Sequence, residues 1–275
     1  MGDYLRVVRA QNLVLAAAGV VAGGWIALGT FAVPVAVAWA AMSGVALGVV
    51  GNVWNDVQDA AADRINHPAG ERPIAAGRFS RDRANLLIWL GTLVSLGGAA
   101  LAGGWQVAAA VVVLGLMLGY SPRLKRLGLI GNLTVAVVAG FPLAYGALAV
   151  GRFEAGFVPW VLAAWIHLGR ELVKDLADEA GDRAVGRRTL PVRLGSAGAR
   201  RVAWWTCLAF VPVSVLLPAA AGYGAAYFAI ALPAQALVVY AGLGVRRDRL
   251  RLASGSLKGA MAVGLAALVA GRIGA

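Results

Sequence analysis

The chain has 275 residues, 60% of them hydrophobic and only 14% charged, with 37 glycines. A soluble domain is roughly a quarter charged, so the composition excludes an ordinary water-soluble globule and predicts an all-α polytopic membrane protein. The net charge of +12 would suit nucleic acid in a soluble protein, but here its distribution follows membrane topology, so no nucleic-acid partner is expected.

Apolar stretches fall at about 11–31, 34–54, 84–102, 105–120, 129–150, 157–174, 202–220, 223–245 and 256–272. They predict nine transmembrane helices around a central cavity open to the cytoplasmic side. Gln11 and Asn12 interrupt the first stretch and apolar sequence continues far beyond it, so it reads as a mature helix and not a cleavable leader. Gly103-Gly104 and Ala221-Gly222 predict the turns of two hairpins. Several stretches are short, as expected of helices that stop below the membrane surface to line a cavity. The single cysteine, Cys207, lies in an apolar run, which excludes a disulfide framework and a thiolate metal site. An acidic cluster follows the second stretch and another follows the sixth, each trailed by an Arg-rich loop with a proline (Arg72-Pro73, Leu190-Pro191). This suggests one domain over 1–275 made of two repeated four-helix units, about 1–120 and 121–245, plus a ninth helix.

Charge sorts the loops. If the stretches alternate across the bilayer, 23 of the 25 basic residues fall on one side, with only Arg152 and Arg272 opposite. The positive-inside rule makes that side cytoplasmic, with the N-terminus inside and the C-terminus outside. Twelve of the 13 acids share it, Glu154 being the exception. A transporter ordinarily needs polar groups at the midplane and on both sides, so the asymmetry favours an enzyme working at one interface of the cell membrane.

The acids themselves are spaced. Asn55, Asp59 and Asp63 stand at i, i+4 and i+8, along one helical face. Asp178 and Asp182 repeat the four-residue step, and Glu171 and Asp175 extend that row by two further turns. Carboxylates with an amide oxygen are hard ligands suited to Mg2+, which completes its shell with water and substrate phosphate. Two such helices facing each other, with cations between, would hold a diphosphate. The plainer alternative is that the acids only pair with Arg64, Arg170, Lys174 and Arg183 at the membrane surface. His67 and His167 have no second His or Cys at ligand spacing, and His167, four residues before Glu171, is expected to orient it by a hydrogen bond. The tryptophans read as interface anchors or tunnel walls, and 246–251 as a topogenic contact with anionic lipid, with Lys258 counted in the basic flank of the same loop.

The segment NDVQDAAAD at 55–63, followed by RPIAAG at 72–77, resembles the first signature of the UbiA-type intramembrane prenyltransferases. DEAGD at 178–182 is similar to their second signature, and YSPRLKR at 120–126 with Gly131-Asn132 resembles their basic loop after the fourth helix. Within that superfamily, RELVKD at 170–175 and GDRAVGRRTLP at 181–191 resemble the ether-lipid branch, the digeranylgeranylglyceryl phosphate synthases. The chain departs from common family form at Arg9-Ala10-Gln11-Asn12, where Pro often follows the Arg.

The resemblance implies Mg2+-dependent transfer of a geranylgeranyl group from its diphosphate to the glycerol hydroxyl of geranylgeranylglyceryl phosphate. Asn55, Asp59, Asp63, Asp178 and Asp182 are then the metal residues. Arg72 and Lys125 are expected on the diphosphate, and Arg9, Arg170 or Lys174 on the acceptor phosphate, with Asn12 contacting substrate. Asp175 or Glu171 is the candidate to take the hydroxyl proton. The partners implied are prenyl diphosphate, a lipid acceptor and membrane lipid, with no obligatory protein partner. Two alternatives stay open: prenylation of an aromatic or chlorophyllide acceptor on the same scaffold, and a lipid or ion transporter whose acids form an ion site. A CDP-alcohol phosphotransferase is excluded, since its D-G and A-R pairs are missing.

Overall fold

The computed structural model describes residues 2–120 and 128–273, and among these every regular element is a helix. The short α1 (Gly2–Val8) is followed by Arg9 in the left-handed conformation, φ 53°, which turns the chain into α2 (Ala10–Leu28). The next helix, α3 (Val35–Asn66), has 32 residues. At 1.5 Å per residue it is about 48 Å long, against roughly 30 Å of hydrocarbon. Its first 20 residues are almost wholly apolar, so the last three turns, which carry the acids, project beyond the greasy layer.

A hairpin turned at Gly103 joins α4 (Arg81–Ala102) to α5 (Gly104–Tyr120), and Ser80 caps α4 by accepting from Arg83 N–H at 3.3 Å. The stretch predicted at 129–150 is a broken helix: α6 (Leu129–Gly140) and α7 (Pro142–Ala149) meet at 40°. Pro142 has no N–H to continue the ladder, which is why the break falls there. A 3-10 turn at 153–156 leads into α8 (Phe157–Ala177), which stops at Asp178 and resumes as the short α9 (Glu179–Ala184). The remaining helices are α10 (Leu190–Ala220), interrupted at Gly195, then α11 (Ala225–Arg246) and α12 (Leu250–Ala270).

Each predicted apolar stretch coincides with a helix or, for 129–150, with the bent pair. By length and apolarity, however, six described helices qualify as spans (α2, α3, α4, α10, α11 and α12), and the bent pair makes a seventh. By this criterion alone the described helices number fewer than the expected nine, for a physical reason. α5 is a shorter helix, and the end of α8 carries Arg170, Glu171, Lys174 and Asp175, which remove its apolar character.

One core gathers α8, α10, α11 and α12 around Leu162, Phe210, Val238 and Leu257; smaller ones join α1, α3, α4 and α5. In lipid, helices associate by close packing, so small residues mark the crossings. At the α2–α7 crossing a Cβ on Gly146 would lie 1.8 Å from Val20 O, and one on Gly23 2.0 Å from Leu143 O. Buried polar groups tie other helices. Tyr145 Oη donates to Gln106 O at 3.3 Å and lies 3.0 Å from Ser43 Oγ, linking α7 to α5 and α3.

Candidate active site

The polar site forms where α3 outruns the hydrocarbon. Asp56, Asp59 and Asp63 are all buried there, beneath the loop that follows α3. That loop is folded tightly: Ala76 N–H donates to Arg72 O at 2.9 Å, and Arg78 N–H to Pro73 O at 3.0 Å. Ile74 and Phe79 plug into the core beside Val53 and Ala60. With its neighbours anchored, Arg72 is carried over the acids, 3.6 Å from Asp56 and 3.8 Å from Asp63. Arg9, which follows α1 in the left-handed conformation, donates to the same Oδ1 of Asp56 that Arg72 approaches. Asp56 thus anchors two of the three arginines expected to meet phosphate, Arg9 and Arg72. Sequence reasoning left it out, because it stands one residue off the i, i+4 row.

The second acidic row does not stay one stripe. The break at Asp178 turns Asp178 and Asp182 out of line with α8, and within α8 Glu171 and Asp175 already meet different groups. Glu171 faces the cavity between Arg170, at 3.7 Å, and Lys174, at 4.0 Å. Asp175 is buried and accepts from Asn132 Nδ2 at 2.8 Å. Asp178 and Asp182 turn toward α3. Asn66 makes that approach possible, donating to Asp178 O at 3.1 Å and accepting from Gly181 N–H at 2.8 Å. α9 lies so close to α3 that a Cβ on Gly181 would meet Ala62 O at 2.6 Å. The glycine inside DEAGD was the available signal for this contact, and Asn66 carried none.

The two signatures therefore face each other in two pairs, each spanned by a basic side chain. Arg187 donates to Asp59 and, at 2.9 Å, to Asp182. Burial opposes its charge, but Asp59 and Asp182 outweigh that and hold its pKa above the ordinary arginine value. Nε2 of His67, buried without a hydrogen-bond partner, stands 4.0 Å from Asp63 and 3.8 Å from Asp178. These distances exceed a hydrogen bond. Among the described residues no three His, Cys, Asp or Glu side chains converge into a closed cage.

Much of the pairing expected of a plain surface cluster is present, with Arg170 and Lys174 beside Glu171; Arg64 is the exception. Arg183 pairs with Glu179 at 2.7 Å, and Arg64 donates to Ala75 O at 3.2 Å instead of to an acid. The hydroxyl of Ser196 also donates to Glu179, at 2.7 Å, and together these hold its carboxyl below the usual range. Lys125, expected on the diphosphate, lies outside the described residues.

Below the acids lies a cavity of about 390 Å3. Asn55, Arg9, Asn12, Arg170, Glu171 and Lys174 line its polar end. On α8 its lining runs from Leu162 to Lys174, about 18 Å at 1.5 Å per residue. The walls are apolar, from Gly19, Leu47, Met117, Phe141, Ile166 and Leu265, with Ser214, Tyr227 and Gln235 toward the far end. Lys258, expected in a basic flank at the membrane surface, instead lies two turns inside α12 and lines this cavity.

A hydrocarbon-walled cavity capped by paired acids and arginines, in a bundle of membrane-length helices, defines an integral membrane enzyme that handles a long apolar group with an anionic head. Residues 14–260 match the UbiA prenyltransferase family, and the chain belongs to it: it is a prenyltransferase. It is 36% identical over 242 residues to the digeranylgeranylglyceryl phosphate synthase of Methanopyrus kandleri, covering 88% of each chain. Its fold is similar to that of a solved digeranylgeranylglyceryl phosphate synthase structure, with a TM-score of 0.75, 24% identity and 99% and 98% of the two chains covered. A UbiA homologue from Archaeoglobus fulgidus bound to DMAPP and Mg2+ superposes with a TM-score of 0.69, at 17% identity and 97% and 99% coverage.

Proposed function

We propose that the chain transfers a geranylgeranyl group from its diphosphate to the glycerol hydroxyl of geranylgeranylglyceryl phosphate, with Mg2+ as cofactor, at the cytoplasmic face of the cell membrane. One observation carries the reading: four basic side chains, Arg9, Arg170, Lys174 and Lys258, line a single apolar-walled cavity that ends at the acids. Two lipid substrates that each bear an anionic head need that combination, whereas an aromatic acid or a chlorophyllide does not need a second phosphate contact. The relatives in this branch support it.

Mg2+ fits the residues present. The cation takes one or two carboxylates and leaves the rest of its shell to water and phosphate. The opposed pairs Asp59–Asp182 and Asp63–Asp178, with Asn55 at the cavity mouth, suit this better than a closed cage would. When bound, Mg2+ supplies charge neutralisation to the departing diphosphate. The other work falls to the side chains. Arg72, held by Asp56 and Asp63, grips diphosphate oxygens, with Lys125 as a second contact. The apolar walls hold the tail and exclude water, so the allylic C1–O bond breaks beside the acceptor hydroxyl and not beside solvent. That hydroxyl oxygen then forms the new ether bond to C1 and loses its proton. Glu171, at the cavity, is better placed to receive the proton than Asp175, which is committed to Asn132. Arg170, Lys174 and Lys258 orient the acceptor phosphate, and Asn12 lies beside them.

Arg152 reaches Ala27 O at the end of α2 remote from the acids, in keeping with an external far end and a cytoplasmic N-terminus. The test is a labelled geranylgeranyl diphosphate offered with geranylgeranylglyceryl phosphate, 4-hydroxybenzoate or chlorophyllide. Label in the phospholipid product alone is expected. Label only in an aromatic product overturns the acceptor, and solute flux in proteoliposomes without pyrophosphate release overturns the enzyme.

A further inference from the structure

Arg187 stands where the two carboxylate rows meet. Its guanidinium donates from Nη2 to Asp59 on α3 and from Nη1 to Asp182 on α9. The acceptors are buried, and the arginine side chain is only 13% exposed. The backbone explains how it gets there. α9 ends in a Schellman turn: Gly186 N–H donates to Arg183 O at 3.2 Å, and Arg187 N–H to Asp182 O at 2.9 Å. Gly186 has φ 71°, which a residue without Cβ adopts freely. The chain doubles back there and sets Arg187 over the carboxylate five positions earlier. The main chain is pinned by these bonds while the long stem is not, so rotation of the side chain alone takes the guanidinium off the acids.

A guanidinium and a divalent cation compete for the same oxygens. Mg2+ needs them at about 2.0–2.1 Å, which puts two positive charges in near contact at a buried site, where they repel strongly. Resting on the assignment of Asp59 and Asp182 to the metal, we propose that Arg187 is the resident counter-ion of the metal site. It ties the two signatures together in the metal-free chain, yields both carboxylates when the cation enters, and turns onto the diphosphate, whose oxygens accept the same bidentate fork. Metal and diphosphate then bind cooperatively: the cation alone must displace the arginine, whereas diphosphate gives the displaced arginine a new partner.

Mn2+ binding to the full chain in detergent, followed by the electron paramagnetic resonance of the free ion, tests this with and without inorganic pyrophosphate. In Arg187→Gln, Mn2+ alone is expected to bind about tenfold more tightly, and the enhancement conferred by pyrophosphate to shrink by a similar factor. The wild-type chain offers a readout independent of any folding defect. Phenylglyoxal should modify Arg187 poorly without metal, readily with Mn2+, and poorly again once pyrophosphate is added, as mapped by peptide mass spectrometry. Unchanged or weaker Mn2+ affinity in a folded Arg187→Gln chain, or reactivity of Arg187 indifferent to Mn2+, overturns the proposal. Asp59→Asn separates the two claims. If it abolishes Mn2+ binding while Arg187→Gln has no effect, the metal site stands and the counter-ion role falls. If the wild-type chain binds no Mn2+, both fall.

Discussion

Gly181→Ala is the smallest change expected to pull the two acidic signatures apart. The added Cβ would stand 2.6 Å from Ala62 O and 2.5 Å from Asn66 Nδ2, where Cβ contacts essentially never fall below 3.0 Å. The Asn66 side chain can rotate away, but Ala62 O is main chain of α3, one turn before its end, and cannot. Moving from 2.6 Å to 3.0 Å shifts α9 by about 0.4 Å at the contact, and the Asn66 hydrogen bonds that dock α9 are strained with it. Stability should change little: alanine gains about 1 kcal/mol of helix propensity over glycine, against about 1–3 kcal/mol for overpacking. Catalysis should suffer more, since misplacing catalytic groups by 1 Å costs on the order of 100-fold. A fall of about tenfold or more in kcat/KM for pyrophosphate release is therefore expected, with a shift of only a few degrees in the melting temperature. Adding Asn66→Ala should not restore activity, because the clash with Ala62 O remains. Wild-type kcat/KM together with wild-type Mn2+ affinity in Gly181→Ala would refute the idea that this helix contact sets the site.

Asp59→Ala and Asp182→Ala are each expected to abolish turnover while the protein stays folded in detergent, as judged by size-exclusion chromatography and pyrophosphate release; full activity in either removes it from the metal site. Asp56→Ala should leave Arg9 and Arg72 without their shared anchor, destabilising the chain by about 1–3 kcal/mol after allowance for their partial exposure. Its KM for prenyl diphosphate should rise more than its kcat falls, which steady-state kinetics will read. For Glu179, the folded pKa lies below the ordinary 4.5. Its contribution is therefore full above that value and lost as the pH falls through the folded pKa. The melting-temperature gap between wild type and Glu179→Gln should be present at neutral pH and close in acid, and a gap that widens in acid would contradict the sign. Lys258→Gln is expected to raise KM for the phosphorylated acceptor and leave KM for the donor diphosphate unchanged, as measured by varying one substrate at a time.

Much of the site was legible along the chain because a helix converts spacing into direction. Asn55, Asp59 and Asp63 share a face simply by standing four residues apart, and the greasy 20 residues before them set their depth. Hydropathy likewise placed every long helix, though not the short α1 and α9, since a bilayer of fixed thickness leaves its mark on apolar run length. The same reasoning failed where the helix stopped being one. Glu171, Asp175, Asp178 and Asp182 were read as a single stripe, yet Glu171 meets the cavity and Asp175 meets Asn132 within α8, and the break at Asp178 turns the other two toward α3. Nothing local marks that break, because it is made by α9 docking on Asn66 and Ala62, over a hundred residues earlier.

By itself the sequence determined a membrane-embedded helical bundle and the regular spacing of the acids on α3, because composition and period act over a few turns. Only the tertiary structure decided which acid meets which base. Asp56 gathers Arg9 and Arg72, Arg187 spans Asp59 and Asp182, and the exposed Lys258 borders the cavity. Each of these depends on close approaches between distant segments, some of which a single Cβ would block, and no spacing rule within one helix encodes them.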